Sequence, residues 1–194
     1  MDVLYNNLCE RKLQNIMLNL AHKLSDCDVK YFTGWIIAGL EVMLEGKAQR
    51  LENSVPLAKA RRCVHEAKGY DSNGNLVQSL RLFLVLPAKE QHKVTAQEEL
   101  PSGEPVYVHS FTKQEIEEYI AATGDENIIH KGQRPLVPGI YMLWRLQQHL
   151  GLDKLKWRVS FLAPVYAGEQ LRIYEAAGGF TAYVGQQKVF AVKI

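Results

Sequence analysis

Cysteine is scarce in this chain of 194 residues. The three it has, Cys9, Cys27 and Cys63, are odd in number, far apart and without C-x-x-C spacing, which excludes a disulfide framework and a zinc site of the usual pattern. Long apolar runs are missing too. Nothing approaches the ~20 consecutive apolar residues that a membrane-spanning helix needs. The opening stretch MDVLYNNLCERKLQN lacks the basic and apolar regions of a signal peptide, so the sequence predicts a cytoplasmic protein. Charge of one sign is not in surplus either, because Lys plus Arg number 23 against 21 for Asp plus Glu. A net charge of +2 does not make nucleic acid or an anionic membrane the default partner. No glycine pattern reads as a nucleotide loop and no His or Cys spacing as a metal site, so no cofactor is expected.

What remains is ordinary globular material, 47% apolar and 23% charged, long enough to bury a real core. Leu13, Ile16, Met17, Leu20 and Leu24 form an apolar stripe at helical spacing. From Val29 to Pro87 the pattern changes to strands, in VKYF, WIIAGLEVMLEGKAQRL, AKARRCVHEAKGY and NLVQSLRLFLVLP. Asp71-Ser72-Asn73-Gly74 supplies a hairpin turn between the last two, so one helix followed by an antiparallel meander is expected. Residues 88–104 are polar, contain Pro and Gly and carry no apolar period, which reads as a linker.

The second part repeats this order with additions. A short strand, PVYVHSF, leads to a helix in which Thr112 and Glu115 have capping-box spacing. A loop from Thr123 to Pro138 follows, then an apolar helix, GIYMLWRLQQHLG. Strands resume in LKWRVSFLAPVYAGEQLRIYEAA, FTAYVG and KVFAVKI. Phe161–Ile173 can be laid over Phe32–Leu44 with Phe, Ala and Gly matched, which suggests an internal duplication.

The loop carries the candidate chemistry. Asp125, Asn127 and His130 put a carboxylate, an amide and an imidazole within six residues, just ahead of the Pro138-Gly139 pair that opens the apolar helix. A carboxylate and a His so spaced in an irregular loop can converge on one small volume and share proton transfer. Gly139, at the helix N-terminus, offers an N–H to a developing oxyanion. The same residues also have a purely structural reading: Asp125 capping a turn, Asn127 in a left-handed conformation, His130 satisfying a buried carbonyl. Residue types alone do not choose between the two.

GDENIIH resembles the G-D-x-N-P-x-H signature of MaoC-like, (R)-specific enoyl-CoA hydratases, with Ile128 in place of Pro. FTKQEIEEYIAATGD and VSFLAPVYAGEQL also resemble that family's flanks, so the likeness runs from about Val106 onward. HKGQRPLVPG is similar to the H-x-x-G-R-P-x-x-P-G stretch of hydroxyacyl-carrier-protein dehydratases. The catalytic acid of that second family falls at Trp144 here, which implies that Asp125 is the carboxylate in use.

The resemblance implies an α+β hotdog fold, a helix wrapped by antiparallel sheet, doubled within one chain. Residues 1–87 would be a degenerate half without the loop, 88–104 a linker, and 105–194 the half that carries the site. It implies hydration of trans-2-enoyl thioesters, or the reverse dehydration of (R)-3-hydroxyacyl thioesters, linked to CoA or an acyl carrier protein. In that reaction Asp125 and His130 would hold the water, Asn127 would brace the loop, and Gly139 N–H would polarise the thioester carbonyl. Hotdog thioesterase and non-catalytic acyl-thioester binding are the alternatives. A pseudo-dimer within one chain is the expected assembly, with pairing of two chains into a homodimer as a further partner expectation.

Lys131, Arg134, Arg145, Lys156 and Arg158 are candidates for phosphate contact, Lys131 and Arg134 foremost, against the simpler reading of a solvated surface. Tyr141, Met142 and Trp144 read as core or tunnel wall. His22, His65, His92, His109 and His149 show no acidic partner at catalytic spacing and receive no role.

Overall fold

The computed structural model describes residues 16–26, 33–87 and 99–194. Leu13, Cys9, Cys27, His92, the expected strand VKYF and most of the expected linker lie outside the described residues. The elements are α1 (Ile16–Ser25), β1 (Ile36–Leu44), β2 (Arg50–Lys59), β3 (Arg62–Tyr70), β4 (Leu76–Val85), β5 (Tyr107–Ser110), α2 (Lys113–Thr123), a 3₁₀ turn (Ile128–His130), α3 (Gly139–Leu150), β6 (Leu155–Phe161), β7 (Gln170–Ala176), β8 (Gly179–Val184) and β9 (Gln187–Lys193).

The stripe read in α1 is buried: Met17, Leu20 and Leu24 are inside with Leu18 and Ala21, and the helix lies on β2, β3 and β4. α2 starts at the expected capping box, with Thr112 Oγ1 accepting from Glu115 N and Glu115 Oε2 accepting from Thr112 N. α3 is sunk in the core from Gly139 to Trp144 and ends on Gly151 in the left-handed conformation. Phe111, Tyr119 and Trp144 gather round the Tyr141 ring at centroid distances of 5.2, 4.7 and 5.7 Å, which welds α2 to α3.

All the strands among the described residues belong to one nine-stranded antiparallel sheet in the order β2-β3-β4-β1-β6-β9-β8-β7-β5. Its centre is the β1–β6 pair. Leu40 opposite Val159, Val42 opposite Trp157 and Leu44 opposite Leu155 point into the core. Glu41 opposite Arg158 forms an ion pair of 2.7 Å on the other face. The alternation in sequence is thus realised as one wet and one dry face.

Three expectations need correction. The first part is not a plain meander, because β1 lies beside β4 and β6 instead of beside β2. The long strand expected over 35–51 breaks at Glu45–Gln49, which crosses the end of the β3–β4 hairpin through Glu45 N to Val77 O and Gln49 N to Tyr70 O. Gly69 makes room for that crossing: a Cβ there would stand 2.7 Å from Ala48 Cβ. Finally, Phe161–Ile173 and the described part of the segment laid over it are not equivalent, since the first runs out of β6 through a loop into β7 while Ile36–Leu44 is one strand. The strand orders β1-β4-β3-β2 and β6-β9-β8-β7 do repeat each other, and they pair β1 with β6. The expected turn at Asp71 is present, its Oδ1 accepting from Asn73 N and Asn75 N.

Candidate active site

α2 ends on Gly124, left-handed at φ 72°, whose N–H donates to Ile120 O. The chain then turns sharply into Asp125. Asp125 Oδ1 accepts from Asn127 N at 3.0 Å, and Asn127 caps the 3₁₀ turn that carries His130. His130 is buried, with Nδ1 held 2.8 Å from Leu136 O. A carbonyl only accepts, so Nδ1 carries a hydrogen and Nε2 is the ring nitrogen left to face away from Leu136. Nε2 faces Asp125 Oδ2 at 3.5 Å.

The structural and the chemical readings of these residues are therefore compatible. Asp125 does cap a turn, with one oxygen. His130 does satisfy a carbonyl, with one nitrogen. The oxygen and nitrogen left over face each other. Asn127 is not left-handed: its φ is −61°, and its side chain instead accepts from Gly34 N at 3.0 Å and donates to Trp35 O at 2.8 Å.

The facing pair opens on a cavity of about 1420 Å³. Gly139, Tyr119 and Met142 line it from the helices, and Trp35, Leu82 and Leu84 from the strands and their approaches. Residues from both parts of the sequence thus share one chamber. Pro138 precedes α3 without a side-chain cap, and Gly139, the first residue of that helix, lines the chamber, so the positive end of the α3 dipole lies at its wall. Pro135–Val137 is fixed against the loop before β7 by Val137 N to Val165 O and Ala167 N to Pro135 O. Gly139 has no space for a side chain: a Cβ would lie 2.8 Å from the Phe161 ring.

Of the candidate cations, only Arg134 lines the cavity. Its guanidinium is engaged with Glu169 at 2.6 Å and stacked on Tyr166 at 4.5 Å. Lys131 is exposed and Lys156 lies on the outer strand face, while Arg145 and Arg158 pair with Glu115 and Glu41. Tyr141 and Trp144 are core, as expected, and Met142 is wall. His109 does have an acidic partner, contrary to the sequence reading: its Nε2 lies 3.0 Å from Glu115 Oε1, because β5 and the start of α2 fold back on each other. Sequence reasoning missed Tyr119, whose phenol burial and the nearby Asp125 charge push well above its ordinary value, so that it stays a donor. It lies on α2, and nothing in its local sequence pattern singles it out. Among the described residues no cluster of three or more His, Cys, Asp and Glu could hold a metal ion, and no helix is long and apolar enough to cross a membrane.

No protein-family model matches the chain, and no curated protein matches it by sequence. Solved structures do. The chain is similar to HtdX from Mycobacterium tuberculosis, with a TM-score of 0.63 at 14% identity over 91% of this chain and 86% of that one. It is similar to a MaoC-like dehydratase from Phytophthora capsici, with a TM-score of 0.53 at 17% identity over 82% and 69%. An acyl-ACP thioesterase from Bacteroides thetaiotaomicron gives 0.51 at 11% identity over 90% and 80%. The fold is accordingly the α+β hotdog fold, the architecture expected from the sequence.

Proposed function

We propose that this protein is a MaoC-like hydro-lyase that adds water to trans-2-enoyl thioesters and removes it from (R)-3-hydroxyacyl thioesters. The observation that carries this reading is the 3.5 Å approach of Asp125 Oδ2 to His130 Nε2 at the edge of a largely apolar chamber. In this reading the attacking water is held against both Asp125 Oδ2 and His130 Nε2. His130 Nε2 takes a proton from that water as its oxygen attacks C3, and Asp125 stabilises the imidazolium that forms. Charge moves onto the thioester oxygen, where the Gly139 N–H and the α3 dipole stabilise it. The proton taken from water is returned to C2, so that the elements of water are added and the pair is regenerated.

The same reading divides the chain into a degenerate half over 1–87, a linker over 88–104 and the half with the loop over 105–194. The repeated strand order on either side of the β1–β6 pair supports a double hotdog. Lys131 and Arg134 are the cations this reading assigns to the phosphate of CoA or of a carrier's phosphopantetheine. Arg134 must exchange Glu169 for that phosphate.

Thioesterase activity is the second reading, favoured by the likeness to an acyl-ACP thioesterase. One assay separates them: loss of enoyl absorbance and release of free thiol, followed together on crotonyl-CoA and longer trans-2-enoyl-CoA. Hydration that falls about 10² to 10⁴-fold in both Asp125→Asn and His130→Ala supports the hydro-lyase. Thiol release without hydration gives the thioesterase, and binding without either reaction gives an acyl-thioester-binding protein.

A further inference from the structure

The site loop is held from outside by groups of α1. The last four carbonyls of a helix have no partner within it. Ile120 O receives the Gly124 N–H, but Thr123 O is satisfied across the molecule. Ser25 Oγ lies 2.9 Å from it and His22 Nδ1 3.1 Å, about a hundred residues away in sequence. The single Ser25 hydroxyl proton is shared with His22 O at 2.7 Å, and the His22 ring supplies a second donor to Thr123 O. Contact is close enough that a Cβ on Gly124 would stand 3.0 Å from Ser25 Oγ. Ser25 and Gly124 both line the cavity.

From this geometry, and resting on the function proposed above, we infer that Ser25 and His22 are positioning residues for Asp125. His130 is anchored by Leu136 O, and Asn127 by Gly34 and Trp35. On its C-terminal side Asp125 is tied to Asn127 N, and on its N-terminal side the chain reaches it from Thr123 through Gly124 alone. Gly124 N to Ile120 O and Thr123 Oγ1 to Tyr119 O bind this end to α2 itself, and the donors on Thr123 O add the tie to α1 that fixes where the carboxylate starts from, and so the gap between Oδ2 and Nε2. An α1 outside the site's own loop fixes one member of the pair relative to the other.

The test is a cycle on the full chain: Ser25→Ala with His22→Ala, made in the wild-type and in the Asp125→Asn background. Two readouts are taken, kcat for enoyl-thioester hydration and the ¹⁵N shift of His130 Nε2 at fixed pH. In the wild-type background we expect kcat to fall about 10- to 100-fold with KM little changed. In the Asp125→Asn background the same pair of substitutions should do nothing further to either readout. Ser25→Thr keeps the hydroxyl and restores kcat, which separates positioning from loss of folding. Lys23→Ala, on the same helix but paired only with Asp26 at the surface, serves as control. Equal losses in both backgrounds, or an unchanged kcat, would overturn the inference. Should the wild type hydrate no thioester, the proposed function fails while the NMR shift still decides. A His130 resonance that moves only when Asp125 is present supports positioning, and one that does not move refutes it.

Discussion

Asn127 and Trp35 are joined across 92 residues of sequence by a 2.8 Å hydrogen bond from Asn127 Nδ2 to the Trp35 carbonyl, while Asn127 Oδ1 accepts from the neighbouring Gly34 N–H. One buried amide thus reads the backbone ahead of β1 as a strand neighbour would. It ties the loop of the second part to the first and, with Asp125, sets the turn that carries His130.

Truncating that amide leaves a buried carbonyl without its donor. Asn127→Ala is expected to lower stability by about 1–3 kcal/mol. Urea denaturation measures this, and an unchanged midpoint would show that the bridge contributes nothing. Hydration should fall further than stability alone accounts for at temperatures where the variant is folded.

Gly139→Ala keeps the backbone N–H but places a methyl 2.8 Å from Phe161 Cζ. The ring or the helix must move, and overpacking of this kind costs about 1–3 kcal/mol. Adding Phe161→Leu should recover most of the loss. If the double variant is as unstable as the sum of the singles, the contact is not the cause.

His65 is fully buried, and burial pushes its imidazole down to about 4. The unfolded chain takes up a proton near 6.5 while the folded one does not until about 4. The folded state is therefore most favoured above pH 6.5 and loses stability as pH falls through that window, by on the order of 3 kcal/mol at the limit. Urea midpoints at pH 7 and pH 5 should diverge in the wild type, and His65→Phe should narrow the gap.

Glu115 carries the capping box and two ion pairs at once, with His109 at 3.0 Å and Arg145 at 3.1 Å. Burial alone would raise its pKa, but hydrogen bonds from Thr112 and the charge of His109 outweigh burial and hold the carboxyl below its usual range. Its contribution is present above the ordinary carboxylate pKa and disappears as pH falls through the lowered value. Glu115→Ala should cost about 0.5–2 kcal/mol at neutral pH, as loss of a cap does, and little in strong acid. Thermal melts at two pH values check it.

The sequence by itself determined what is local. The helical stripe of α1, the capping box at Thr112, the Asp71 turn and the Asp125–His130 loop depend on neighbours a few residues apart, where period and cap chemistry act directly. The hotdog class followed from their order together with the GDENIIH resemblance. Tertiary structure decided what joins distant segments. That β1 pairs with β4 and β6 depends on the Glu45–Gln49 crossing, which no period announces. That His109 meets Glu115, Asn127 holds Trp35, and Ser25 holds Thr123 depends on single side chains finding backbone or charge across the core. Such contacts leave no repeating pattern in sequence, because each is a one-to-one match of a donor and an acceptor brought together only when the hydrophobic faces of both parts are buried as one sheet.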